Sequence, residues 1–389
     1  MPDPSVRWNS RQAAFALLRM WQPVHRYEGP HSGAGGRLRA VHTGDPCRGS
    51  YLIEALYGDA ARREACGRTI VSPSARKPND AASDCDLELI EISRLYVGRY
   101  IRAGYFVIPE WVEFGRRVIE SEEDRYADAR KSLKSDLRAV RRAGLEVRTT
   151  RDRGDFELFY REMYLPFTRA RFGAGMIEKS RRRLRREFRR GFLLLLLRDH
   201  GPVAGGIVAI EGSTVRLTTI GVWQGSAEIL RERVSAAIDY HVHDWAAKHK
   251  KQYIGVGHTR PLPRDGIYFN KRKWQMEIGP DLDGVMNIAL KWKGSEHMFL
   301  DVFQHVPFVY QGERGLGVLC VRPSEHRLQC NEARKLIRTH WTTGLRSLIA
   351  VCSQGFAAEV VERMREEHGP VVHLCADLVT AMHVYRRFC

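Results

Sequence analysis

No apolar run in this chain approaches the roughly 20 residues that a membrane-crossing helix needs. The longest, GFLLLLL from Gly191 to Leu197, is about one strand long. The opening MPDPSVRWNS has no basic stretch leading into an apolar one, so no signal peptide is expected and the expected location is cytoplasmic. Cysteine occurs eight times without a CxxC pair or knuckle spacing. That pattern excludes the usual zinc sites and a disulfide framework, and reduced thiols are expected. His241 and His243, in DYHVHDW, look like metal ligands on paper. On a helix their rings lie about 200° apart and cannot share one ion. The glycines of GAGG (33–36) neither follow a strand nor open a helix, so no dinucleotide or phosphate loop is read there.

Excess acid is also lacking, and this is the first positive signal. Lys and Arg number 63 against 46 Asp and Glu, a net charge of +17 that draws in polyanions such as nucleic acid, anionic lipid or a phosphate-rich cofactor. The excess is concentrated in two stretches. RKSLKSDLRAVRR (130–142) sets its cations around Leu133, Leu137 and Val140, and KSRRRLRREFRR (179–190) around Leu184 and Phe188. Both spacings predict amphipathic helices held by a thin apolar seam, either solvated arginine-rich faces or a positive wall along a cleft.

At 389 residues the chain is too long for a single core, and two or three domains are expected. Before residue 80 periodicity is weak: one helix fits 11–21, and the stretches 28–50 and 71–86 read as loops. LELIEISRLYV predicts a strand, and GYFVIPEWV a second apolar run feeding the first basic helix. DFELFYREMYLPFT has helical spacing that Pro166 should end. FLLLLLRDHGPVAGGIVAI reads as a hairpin, TVRLTTIGVW as a further strand, and the stretch from Ser226 to Lys250 as one helix capped by Ser226, followed by the strand YIGVG. In RPLPRDGIYFNKRKWQ (260–275) a turn leads into an expected strand. Its alternation would place Phe269, Lys271 and Lys273 on one face and Tyr268, Asn270, Arg272 and Trp274 on the other. Phe269 and Trp274 are expected in the core. Beyond residue 297, GLGVLCV, SLIAVC and VVHLC alternate with helical patterns, which predicts a small parallel sheet.

Four of these stretches, SLKSDLRAVRRAGLEVR, FYREMYLPFTRARFG, FLLLLLRDHGPVAGGIVAI and VGHTRPLPRDGIYFNKRKWQ, stand in an order and spacing that resembles the FemAB-like or BioF2-like branch of the GNAT acyltransferase superfamily, related to the peptidoglycan-branching aminoacyltransferases. The resemblance covers residues from about 86 to about 280. It implies an α/β (α+β) fold with a GNAT-like mixed sheet in which two neighbouring strands splay apart. It also implies a degenerate first lobe (1–118), a basic linking helix (119–150) and the acyltransferase domain (151–290); the alternating pattern beyond them is expected as a C-terminal α/β extension (291–389).

The function so implied is transfer of an acyl or aminoacyl group from a polyanionic carrier, acyl-CoA or aminoacyl-tRNA, to an amine or hydroxyl of a cell-envelope, polysaccharide or secondary-metabolite acceptor. No tightly bound cofactor is expected; peripheral contact with an anionic membrane is a further expected partner. The family's motif is roughly Phe, Lys, any, Gly, aromatic, Gly. Here Asn270, Lys271, Arg272, Lys273, Trp274 and Gln275 keep the lysine and lack both glycines. Members that use coenzyme A carry a Gly-rich pyrophosphate loop; here the turn is GVWQGSAEIL, leaving Gln224, Gly225 and Ser226 as the candidate cofactor-binding residues.

Acyl transfer needs a deprotonated nucleophile, a donor or cation where the oxyanion develops, and phosphate anchors. Lys271 suits the oxyanion or a phosphate, with Lys273 beside it. Arg260 can grip a phosphate or carboxylate with two N–H groups. His258 is either the base or structural, and Asp265 either accepts a proton or caps the turn. Tyr164, Arg169 and Arg171 are candidates for the substrate pocket, and Tyr160 for the core. No Ser-His-Asp or Cys-His set with motif support occurs, so direct transfer is expected rather than an acyl-enzyme. The competing readings are a nucleic-acid-binding protein and an adaptor built on a GNAT-like lobe.

Overall fold

A computed structural model describes residues 20–32, 36–72, 84–172, 178–199, 201–282, 284–312 and 314–388. In chain order its strands are β1 (Trp21–Pro30), β2 (Arg37–Thr43), β3 (Arg62–Ile70), β4 (Leu87–Ser93), β5 (Phe106–Pro109) and β6 (Val112–Arg117). Then come β7 (Glu146–Thr150), β8 (Gly191–Arg198), β9 (Gly201–Glu211), β10 (Thr214–Val222), β11 (Tyr253–Thr259) and β12 (Glu277–Pro280). The last are β13 (Met286–Trp292), β14 (Phe308–Gly312), β15 (Gly315–Arg322), β16 (Ser347–Cys352) and β17 (Val372–Cys375). The fold is α/β with three mixed sheets.

Two compact units interleave along the chain: Met1–Val112 with Arg260–Tyr268 and Gly279–Cys389, and Glu113–Thr259 with Phe269–Ile278. The domain boundaries drawn from sequence run consecutively, whereas residues 291–389 pack in the core of the first unit. Phe106, Phe308, Tyr310 and Tyr385 meet there in one aromatic cluster.

The first unit holds a six-stranded sheet, ordered β3-β1-β2-β4-β13-β5, and a four-stranded one, β14-β15-β16-β17. In the latter β15, β16 and β17 are parallel, as the C-terminal pattern predicts, and β14 is an antiparallel addition. The described residues of the stretch 28–50 are mostly strand and helix rather than loop: β1 and β2 pair from Val24 with Thr43 to Pro30 with Arg37, and a helix follows at Pro46–Tyr57. The strand signal is hidden because Gln22, His25 and His42 are polar yet buried, which breaks the alternation of apolar residues. The helix expected at 11–21 lies outside the described residues, apart from its end, where Trp21 opens β1.

The second unit is a seven-stranded sheet, ordered β12-β6-β11-β10-β9-β8-β7. Strands β7 to β10 are antiparallel neighbours, and β10 runs parallel to β11. Both basic helices form, at Lys131–Ala143 and Arg181–Arg189, each docked by the apolar seam read from sequence. Leu193, Leu195 and Leu197 of β8 pack with Phe156, Phe159, Leu184 and Phe188 in one core.

Three elements depart from expectation. Pro166 does not end its helix: the helical path runs on from Arg153–Leu158 through a π-helical turn at Phe159–Tyr164 into Leu165–Phe172, and the wider turn just before the proline accommodates a residue with no N–H to donate. The single helix expected from Ser226 is two, Ala227–Arg231 and Val234–Lys248, separated by Arg233 at φ 67°. The expected strand after Asp265 is the helix Gly266–Lys273. Asp265 accepts the backbone N–H of Ile267 at 2.8 Å and of Tyr268 at 3.0 Å, an N-cap that a strand could not use. Helical spacing then buries Tyr268, Lys271 and Trp274, three apart, and leaves Phe269 half exposed instead of in the core.

Candidate functional site

The splayed strand pair lies in the second unit. β10 and β11 pair only from Thr214 with Tyr253 to Arg216 with Gly255, and their ladder stops there although both strands continue. Two local features fit the divergence. The register between β9 and β10 shifts at Leu217 to Thr219, and Gly257 takes φ 71°, a left-handed conformation that turns β11 aside at little cost only for glycine.

Lys271 is anchored at the diverging end of β11. Its Nζ donates to the carbonyls of Gly257 at 2.8 Å and His258 at 2.9 Å and lies 5.6 Å from the centre of the Phe114 ring. The Lys271 amino group is thus desolvated yet hydrogen-bonded to the end of β11. His258 itself is exposed at the strand end. Lys273 pairs with the buried Asp136, which Arg233 also approaches at 3.7 Å.

A residue absent from the sequence reading completes this group. Asp239, on the helix Val234–Lys248, is reached by the Asn270 amide at 3.5 Å, and burial pushes its carboxyl up to about 7 against the pull of Asn270, Lys271 and Lys273. A carboxyl held above the ordinary carboxylate range can take or give a proton. Its sequence signal is faint, a lone acid one position beyond Ile238 of the apolar stripe.

The turn after β10 is tightly built. Gln224 (φ 49°) and Gly225 (φ 64°) are both left-handed, and a Cβ on Gly225 would sit 2.8 Å from the Pro166 carbonyl oxygen. Gln224 donates to Glu162 at 2.5 Å. The Ser226 hydroxyl accepts the Ile229 N–H at 3.3 Å, the cap read from sequence, and Glu228 stands in the same first turn.

Tyr164 is in the core, where its hydroxyl accepts the backbone N–H of Lys179 at 2.8 Å. Tyr160 donates to Glu178 at 3.4 Å, Arg169 is exposed 3.7 Å from the same carboxylate, and the exposed Arg171 guanidinium lies 5.8 Å over Phe167. Along the helix Arg181–Arg189, Arg181 and Arg183 pair with Glu157 and Glu187. Arg182, Arg185, Arg186 and Arg189 form no ion pair among the described residues.

Arg260 and Asp265 belong to the first unit. The Arg260 guanidinium lies 3.7 Å from the Trp111 ring centre and 4.5 Å from that of Tyr51, with Nη1 buried and without a partner among the described residues. In the same unit His42 and Glu91 are fully buried 3.7 Å apart. Burial lowers the imidazole to about 4 and raises the carboxyl to about 8. Both glycines beside them are steric requirements: a Cβ on Gly44 would meet the Glu91 side chain at 2.5 Å, and one on Gly49 the His42 ring at 2.6 Å.

No family model matches the chain, and no curated protein matches it in sequence. Solved structures overlap it in part. L-PGS from Bacillus licheniformis is 11% identical, with 70% of this chain and 86% of that one covered at a TM-score of 0.33. FemX is 10% identical over 74% and 92% of the two chains, with a TM-score of 0.38. A GCN5-related N-acetyltransferase from Sphaerobacter thermophilus is 12% identical over 66% and 74%, with a TM-score of 0.29.

Proposed function

We propose that the slot between β10 and β11 is an acyl-transfer site, at which an acyl or aminoacyl group passes directly from a polyanionic carrier to an amine or hydroxyl. The observation that carries this reading is the splay with Lys271 at its end. A ladder that stops after Gly255 suits a planar thioester or ester laid along a strand, and the Lys271 amino group is held on the carbonyls at the end of β11. In the reaction the acceptor nitrogen or oxygen adds to the acyl carbon, and the carbonyl electron pair moves to oxygen. Collapse expels the thiolate of coenzyme A or the terminal ribose oxygen of tRNA, which takes up the proton lost by the acceptor.

Lys271 supplies positive charge where the oxyanion develops. Asp239, rather than Asp265, is the carboxyl suited to hold the travelling proton, because Asp265 is engaged as a helix cap. His258, exposed at the strand end, is the other proton carrier. The unpaired arginines of Arg181–Arg189 suit the polyanionic carrier, and Lys273 is a bracing residue through Asp136. The test is to purify the protein without added donor, measure its absorbance ratio and analyse the denatured sample by mass spectrometry. Coenzyme A or tRNA in the sample supports the reading and names the donor. If neither co-purifies, and neither binds when added at low salt, the reading fails.

A further inference from the structure

Strand β10 carries one residue more than β9 can pair. Leu217 pairs with Val208 and Thr219 with Ile207, so Thr218 between them is a bulge, just past Arg216, where the ladder with β11 ends. The bulge marks a change of environment. Val215 and Leu217 are buried, whereas Thr218, Thr219 and Ile220 are half-buried, as are Val256 and Gly257 of β11. A bulged residue has no place in the ladder, and its polar groups need other partners. The Thr218 hydroxyl donates to the Ile207 carbonyl at 3.2 Å. The Thr218 carbonyl accepts from the Lys179 Nζ at 2.7 Å.

Lys179 is itself held from two sides. Its backbone N–H donates to the hydroxyl of Tyr164, on the π-helical turn, and its Nζ lies 3.5 Å from the Glu187 carboxylate. The preceding residue, Glu178, accepts from the hydroxyl of Tyr160 on the same turn at 3.4 Å. Beyond the bulge β10 meets that turn directly: a Cβ on Gly221 would stand 2.8 Å from the Met163 carbonyl carbon and from the Tyr164 nitrogen. This close approach selects the bulged register. Without the extra residue every later side chain of β10 would change face, and Ile220 or Val222 would be driven into the turn. Gly221 thus sets the register, and Lys179 satisfies the carbonyl that the register leaves out of the ladder.

We propose that Lys179 is a positioning residue for the slot: through the Thr218 carbonyl it fixes the stretch of β10 from Thr218 to Ile220, the wall along which an acyl group would lie. The proposal rests on the reading of the slot as an acyl-transfer site. A fixed wall matters to such a reaction because a misplacement of about 1 Å can cost about a hundredfold in rate.

The test pairs hydrogen exchange with turnover in wild type, in Lys179→Met, which keeps the stem and removes the donor, and in Lys179→Arg, which restores one. Gly221 still selects the register, so Lys179→Met should fold. Amide exchange followed by mass spectrometry should quicken about tenfold in β10 after Leu217, stay unchanged in β8, and return toward wild type in Lys179→Arg. Turnover is measured with acetyl-coenzyme A, and separately with a mixed aminoacyl-tRNA pool, as donor and ethanolamine as acceptor. In Lys179→Met kcat should fall about tenfold or more at an unchanged KM for the donor, and Lys179→Arg should recover most of the loss. Equal exchange in wild type and Lys179→Met, faster exchange throughout the unit, or a local change with turnover unaltered would each overturn the assignment. If wild type transfers from neither donor, the acyl-transfer reading fails by itself, and the exchange comparison alone decides whether Lys179 holds the bulge.

Discussion

Glu91→Gln should stabilise the protein, and by more as the pH rises. Glu91 is buried beside His42, and burial lifts its pKa to about 8 from an ordinary value near 4.5, against the pull of the Asp45 backbone N–H. Between those two values the folded state holds a proton that the unfolded state has released. The folded state therefore binds more protons, and stability falls as pH rises through this window. The penalty is under about 1 kcal/mol at pH 5, about 3 kcal/mol at pH 7 and approaches about 5 kcal/mol above pH 8, at 1.36 kcal/mol per unit. Glutamine keeps the shape and cannot ionise, so it removes the penalty. His42 slopes the other way: its lowered pKa favours the folded state at neutral pH, and that contribution is lost as pH falls from about 6.5 through about 4. Subtracting wild type from variant in urea titrations at pH 5.5, 6.5, 7.5 and 8.5 cancels the His42 term. The difference should grow by roughly 1 kcal/mol per pH unit. A difference that stays flat with pH would refute the argument that Glu91 is protonated in the fold.

Other outcomes follow from the same geometry. Gly225→Ala should lower the melting temperature more than Gly212→Ala, because both sites have positive φ but only Gly225 also faces a carbonyl oxygen at 2.8 Å; equal losses would show that the contact gives way freely. Replacing Arg182, Arg185, Arg186 and Arg189 together with Gln should leave stability nearly unchanged and flatten the salt dependence of tRNA binding measured on filters. An unchanged slope would remove that helix from polyanion binding. Asp239→Asn should lower turnover and abolish its dependence on a group titrating near pH 7. A retained inflection would assign it to another group, with His258 the first to replace.

Regular apolar elements were legible in the sequence: the leucine strand β8, the hairpin with β9, both basic helices and the parallel C-terminal strands. What the sequence hid has a physical cause in each case. β1 and β2 bury His25 and His42, so their polar residues read as loop. The helix Gly266–Lys273 alternates charged and aromatic residues as a strand does, and only the Asp265 cap marks it as helical. Lys271 was singled out through the motif its stretch resembles, but its acceptors, the carbonyls of Gly257 and His258, are backbone groups that no residue pattern announces. Asp239 depends on burial by segments distant along the chain.

The most direct measurement is a single-turnover assay in which excess protein meets a limiting labelled donor, acyl-CoA or aminoacyl-tRNA, with and without an amine acceptor, in wild type and Lys271→Ala. Removing the ammonium leaves two carbonyls without their donor, at about 1 to 3 kcal/mol, so folding is checked in parallel by circular dichroism. Wild type should move the label to the acceptor, and the folded variant should do so about a hundredfold more slowly or less. Equal rates in the two proteins would contradict the placement of the chemistry at the splay beside Lys271.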